Sequence, residues 1–127
     1  MKPTARVTLT LDRFPEIIAA LPELAGEAME LSAEEIVRQA QALAPVDDGH
    51  LRDSIEARRE SGEAWVVEVL AYYGLYLEYG THGPYRIGGK FAGAQHPGVA
   101  AQPFLTPAAE GERPNFEASM RRLLEQL

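Results

Sequence analysis

The chain predicts a compact mixture of strands and helices in which one long amphipathic helix lies across the apolar face of a hairpin. Three observations predict it. Residues 23–44 repeat apolar side chains at spacings of four and three, the period of a helix face. Residues 54–61 and 65–72 alternate and are joined by Ser61-Gly62-Glu63, a hairpin turn. A second apolar-periodic stretch closes the chain.

In chain order, RVTLTL over residues 6–11 alternates strictly. Val7, Leu9 and Leu11 share one face, as in a half-buried strand. Pro15 suits the first turn of a helix, where its missing N–H costs nothing. Phe14, Ile17, Ile18 and Leu21 give that helix its apolar stripe. Pro22 either kinks it or starts the next one.

The long helix follows. Met29, Ala33, Ile36, Ala40 and Leu43 form its stripe, widened by Val37, with Glu27, Glu30, Glu34 and Arg38 off that face. Glu34 and Arg38 are spaced for an i,i+4 ion pair. Ser32 and Glu35 have capping-box spacing, but the stripe crosses Ser32 without a phase change, so one continuous helix is expected. Pro45 stops it, since the residue before a proline avoids the α region. Asp48 is then a good N-cap for a short turn over GHLR, which directs Leu51 and Ile55 inward.

In the second hairpin strand Trp65, Val67, Val69 and Ala71 share a wholly apolar face, which should meet the long helix. Val66, Glu68, Leu70 and Tyr72 take the other. After Gly74 the spacing of Tyr72, Tyr76 and Tyr79 changes to four and three. This reads as a helical turn stopped at Gly80, the usual left-handed residue after a helix. Residues 82–101 contain five glycines, two prolines and no acid. They are expected to form one long loop, and loops of such length are usually functional or disordered. Arg86 and Lys90 make it basic, and Tyr85, Ile87 and Phe91 are too apolar for a purely solvated tip. It reads as a contact arm that orders on assembly rather than as a solvated loop. Near the end, Thr106 can cap a turn at Pro107. Gly111 and Pro114 interrupt, and a final helix is expected from about Pro114, with Phe116, Met120, Leu123, Leu124 and Leu127 inward.

Composition narrows the function. At 127 residues one domain is expected. Hydrophobic content of 46% and charged content of 24% fit a globular chain. A formal net charge of -7 argues against generic nucleic-acid binding, which needs clustered Lys and Arg. With no cysteine there are no disulfides, thiolate nucleophiles or zinc–thiolate sites. The start has no long apolar segment and no run approaches the ~20 residues of a membrane span, so a soluble, cytoplasmic chain is expected.

Candidate chemistry is sparse. Asp47, Asp48 and His50 lie close together, but they do not match a calcium loop, and helix capping explains Asp48 more simply. His82 and His96 have no metal-binding helix behind them. Ser54 and His50 are hydrolase residue types without a nucleophile elbow. No phosphate-binding loop is present. Glu78 is the sharpest case. It sits in YYGLYLEYGT, which holds four of the five tyrosines. Apolar neighbours would raise its pKa and suit it to acid–base work. Alternatively it accepts hydrogen bonds from tyrosine hydroxyls or backbone N–H groups and holds structure in place, the more economical reading.

Three segments in this order carry a resemblance: APVDDGHLRDSI at 44–55, YYGLYLEYGT at 72–81 and AQPFLTPA at 101–108. Together they resemble the head–tail joining or tail-completion proteins of long-tailed bacteriophages and prophages, also described as neck or minor tail proteins. In that family a long amphipathic helix ends in A-P-V-D-T-G-x-L-x-x-S-I. A hairpin, a segment ending in E-(F/Y)-G-T, a variable Gly/Pro-rich loop and Q-P-F-L-x-P-A then precede a C-terminal helix. The motif positions carried over are Pro45, Asp48, Gly49, Leu51, Glu78, Gly80, Thr81, Pro103, Phe104 and Pro107. Asp48 stands where threonine is usual, Gly74 where alanine is common, and Gly111 and Pro114 interrupt a helix that is usually smooth.

The resemblance implies an α+β fold, a small antiparallel sheet packed against the long helix, with a C-terminal helix. It implies a structural virion protein without catalytic residues, metal or cofactor. It further implies a ring, expected to be hexameric, between the head connector or adaptor protein and the tail-tube or tail-terminator protein. The genome would pass through its acidic lumen without specific binding, because like charge repels DNA. Such a protein is assembled in the bacterial cytoplasm and ends in the neck or tail of the virion. A tail terminator of related architecture is the nearest alternative; a small host-encoded enzyme or ligand-binding domain is the alternative of another class.

Overall fold

A computed structural model describes residues 4–45, 49–86 and 95–127. The fold is α+β. β1 (Ala5–Thr10), β2 (Ile55–Ser61) and β3 (Ala64–Val69) form an antiparallel sheet in the order β1-β3-β2. α2 (Pro22–Leu43) and α5 (Leu105–Leu124) pack on it, α1 (Pro15–Ala20) packs against these two helices, and α3 (His50–Asp53) and α4 (Gly74–Tyr79) are short connecting turns. β4 (Thr81–Arg86) and β5 (Gln95–Val99) pair as a separate two-stranded ribbon.

α2 is continuous through Ser32, and Pro22 is its first residue, not a kink inside a longer helix. It ends because Pro45 holds Ala44 extended, at ψ 134°. Its buried face is Ala25, Met29, Ser32, Ala33, Ile36 and Ala40. Leu43, expected inward, is 52% exposed, and Ala40 and Ala44 fill that end of the core instead. Arg38 pairs with Glu35, one residue nearer than expected.

The strand order explains a second difference. β3 pairs with β1 from Ala5↔Val69 to Thr10↔Ala64 and with β2 from Ile55↔Val69 onward, so it is central. Val67 and Val69 face Ala33, Ile36 and Ala40 in the main core, as expected. On the opposite face only the central strand is covered: Val66 and Glu68 are buried, while Arg6, Thr8, Glu56 and Arg58 on the flanking strands are exposed. Glu68 lies between flanking strands, with Arg58 Nε 2.9 Å and Arg6 3.9 Å from its carboxylate. The strand stops at Val69, so Leu70 and Tyr72 are not strand residues. A second core, Leu11, Ile17, Ala25, Met29, Met120 and Leu123, joins α1, the start of α2 and the end of α5.

Two corrections concern the C-terminal third. The stretch expected as one loop over 82–101 contains the β4–β5 ribbon, from Thr81↔Val99 to Arg86↔Gln95, with an irregularity between His82 and Tyr85. Its glycines and prolines lower strand propensity, which hid the pairing. The final helix begins at Leu105 and runs through Gly111 and Pro114. An interior proline costs about 3 kcal/mol. Burial of Leu105, Ala108, Met120 and Leu123, at about 1.5–3 kcal/mol for each large side chain, offsets it. Leu127, expected inward, is 56% exposed.

Candidate functional site

α4 is a turn with two faces. Gly74 and Glu78, four apart, are buried, while Tyr76 and Tyr79 are exposed, as is Tyr72 just before it. Glu78 is therefore not enclosed by tyrosines. The close fit on the buried side depends on Gly74: a Cβ there would stand 2.5 Å from Val69 Cγ1. The helix ends at Gly80, whose φ of 75° and ψ of 175° differ from the left-handed cap expected. This extended positive-φ region is open essentially to glycine alone. The geometry turns the chain straight from α4 into β4.

The Glu78 carboxylate, 4% exposed, reaches the start of α5. Oε1 accepts the backbone N–H groups of Phe104 at 3.0 Å and Leu105 at 2.7 Å, and Oε2 accepts that of Thr106 at 3.0 Å. The Thr106 hydroxyl adds a further bond. A helix start leaves four N–H groups without partners inside the helix. Here three go to Glu78, and the next residue is Pro107, which has none. The cap is complete, supplied from 26 residues upstream of Phe104. The positive end of the helix dipole favours the negative charge. Thr106, expected as a cap, is itself helical and donates to Glu78.

This arrangement fixes the titration of Glu78. Burial pushes the carboxyl up, but the Leu105 and Phe104 N–H groups and both Thr106 donors together outweigh it and hold the pKa below the ordinary value. A carboxylate held ionised and saturated with donors is a poor acid or base near neutral pH. What it does is mechanical. The ribbon leaves α4 at Thr81 and returns at Val99. Gln102 N–H donates to Leu77 C=O at 2.7 Å, beside the Glu78 cap. Both legs of the ribbon's base are thereby tied to α4.

Several other motif positions lie within the described residues. Gly49, not Asp48 as expected, is the N-cap of α3, at φ 81°, where a Cβ would come within 2.9 Å of Arg52 Nη2. Leu51 and Phe104 are core residues, and Pro103 and Pro107 are surface residues flanking the α5 start. Asp48, Asp47, Ile87, Lys90 and Phe91 lie outside the described residues, as do the side chains of Tyr85 and Arg86. The Ser54 hydroxyl donates to Leu51 C=O at 2.8 Å, closing a turn.

Besides Glu68, one further buried acid was missed from sequence. Glu112 on α5, 5% exposed, accepts the Ser32 hydroxyl of α2 at 2.7 Å and Asn115 Nδ2 at 3.1 Å. Its signal was Ser32 itself, a polar residue in phase with a buried stripe, which demands a partner. Glu112 also lines a cleft of about 440 Å³ between β1 and α5, whose walls include Leu9, Phe14, Ile36 and Phe116. The cleft's other charges include Arg13 and Glu117, which approach to 3.9 Å. Among the described residues no three His, Asp or Glu side chains gather where a metal could bind, and no helix is long and apolar enough to cross a membrane.

Residues 5–80 match the model of a family described as "Bacteriophage HK97-gp10, putative tail-component". The match takes in β1, the first motif segment and all of the second but Thr81, and ends at Gly80, ahead of the ribbon and α5. No curated protein and no solved structure matches the chain. With more than half of its length matched, the chain belongs to the HK97-gp10-like family of bacteriophage tail components.

Proposed function

We propose that this tail component acts at the head–tail joint, as one subunit of a ring between the head connector or adaptor and the tail-tube or tail-terminator protein. The observation that carries the reading is the fate of Glu78. The most chemically suggestive group in the chain is saturated by the α5 backbone, so the chemistry of YYGLYLEYGT resolves into a clamp at the base of a ribbon. A clamped ribbon is an arm held at a set angle to the body. The motif set and the family membership support reading such a body as part of a phage tail; the acidic balance suits a ring through which DNA slides. On this reading the protein has no substrate and no cofactor, and its residence is the neck of the virion after assembly in the bacterial cytoplasm.

The test is a phage or prophage with this gene deleted. Electron microscopy of the lysate should show filled heads and free tails of normal length side by side, with joining restored by the gene supplied separately. Overlong tails would instead favour the terminator reading, because a missing cap leaves tube growth unchecked. Normal virions would refute both.

A further inference from the structure

Among the described residues, the exposed large apolar side chains include two groups far apart. One lies where β3 ends. Tyr76 (42% exposed) and Tyr79 (66%) sit three apart on the outer face of α4, with Tyr72 (56%) four residues before Tyr76 and Leu70 (54%) just upstream. This end also receives the C-terminus of α2, since Gln41 Nε2 donates to Arg52 C=O of α3 at 3.3 Å. The second place is the N-terminal half of α2. Leu24 (41%) and Leu31 (68%) lie seven apart, two turns on one line. Glu23, Glu27, Glu30 and Glu34 are exposed beside them. A groove shared by Glu23, Gly26, Glu27, Glu30, Arg59 and Trp65 fixes this half at the other end of the sheet, near the β2–β3 turn. α2, with 22 residues, separates the two ends by about 30 Å.

The surfaces are complementary to each other and not to themselves. Two leucine–glutamate faces would bring like charges together, which opposes a symmetric contact. Tyr76 and Tyr79 offer an apolar ring for the leucines and a hydroxyl donor for the carboxylates. The one carboxylate of α4, Glu78, is turned inward, and the stretch that leaves this end, residues 81–101, contains no acid.

We infer that a second copy of this chain occupies each surface: the Tyr72–Tyr76–Tyr79 face of one subunit seats on the Leu24–Leu31 face of the next. Because the two surfaces lie at opposite ends, the contact is head-to-tail, the kind that closes into rings when the rotation allows. The inference rests on the ring reading above and assigns its subunit contacts.

Sedimentation of the full chain over a range of concentrations, with Tyr79→Asp and Leu31→Asp, tests it. Both side chains are mostly exposed, so circular dichroism should show wild-type folding in each. Each variant alone should self-associate about 30-fold or more weakly than wild type, the size of an interface hot spot. Mixed in equal amounts, they should pair through their one intact contact and stop at the dimer. That outcome has no counterpart in a symmetric interface. If wild type assembles and both variants assemble equally well, the assigned surfaces are wrong while the ring stands. If each variant is monomeric but the mixture does not pair, the head-to-tail arrangement is wrong. A wild-type chain that stays monomeric at every concentration overturns the inference, and the head–tail role is then decided by the deletion phenotype alone.

Discussion

Glu78 Oε1 and the backbone N–H of Leu105 lie 2.7 Å apart across 27 residues of sequence, and through this contact one short turn caps the C-terminal helix and closes the base of the ribbon. Glu78→Gln keeps the shape but turns an amide NH2 toward one of the donors now facing a carboxylate. Unfolding in urea should show a loss of about 1–3 kcal/mol, the size expected for a weakened charge-assisted bond. Glu78→Ala strands all three N–H groups in a buried place and should cost more than the glutamine. Equal losses for the two variants would mean that side-chain volume, not hydrogen bonding, is what Glu78 supplies.

The same contact sets a pH dependence. The folded Glu78 carboxyl titrates below its ordinary value of 4.5, because the donors from α5 outweigh burial. As pH falls below that ordinary value the unfolded chain takes up this proton before the folded one does, so stability falls with it. The contribution is fully present above the ordinary value and is lost as pH drops through the folded one. Urea unfolding from pH 7 down to pH 3 should therefore show a shallower acid limb for Glu78→Gln than for wild type. Parallel limbs would count against the assignment.

The packing of α4 yields a third expectation. A Cβ on Gly74 would overlap Val69 Cγ1 at 2.5 Å and stand 3.4 Å from Leu51 Cδ1. Gly74→Ala should cost about 1–3 kcal/mol through overpacking, although alanine is the better helix former. Val69→Ala, which empties part of a fully buried site, should cost about 2–3 kcal/mol alone. Together the two should lose about 1 kcal/mol less than their sum, because each relieves the other. Strict additivity would show that the helix shifts instead of clashing.

What the sequence disclosed was local. The period of α2, its stop at Pro45, the hairpin turn after Ser61 and the apolar face of Val67 and Val69 all follow from spacing or from one residue's backbone limits. What it hid depended on distant partners. β1 pairs with β3 across more than fifty residues, and nothing in RVTLTL states which strand it joins. The start of α5 was misplaced because capping rules look within a turn, and led to Thr106 and Pro114, whereas the cap comes from Glu78. At the site, Glu78 and Gly80 stood out by residue type and position. The roles of Phe104, Leu105 and Thr106 as its donors needed the fold.

The Ser32–Glu112 bond carries the last prediction, since it joins α2 to α5 across 80 residues inside a helix interface. Ser32→Ala removes a donor from a buried carboxylate that has few others, so Glu112 is left short of partners and should cost the fold about 1–3 kcal/mol. Glu112→Met removes the charge instead. The serine hydroxyl then turns to the carbonyl of Ala28, one turn back in its own helix, a bond that serine makes readily. The loss should be smaller than for Ser32→Ala. The double variant, with an apolar pair in place of a polar one, should match wild type or exceed it, because a well-packed apolar substitute often does as well as a buried charge. Chemical denaturation of the three variants decides the matter. A Glu112→Met chain less stable than Ser32→Ala would show that the carboxylate supplies more to this interface than its hydrogen bond with Ser32.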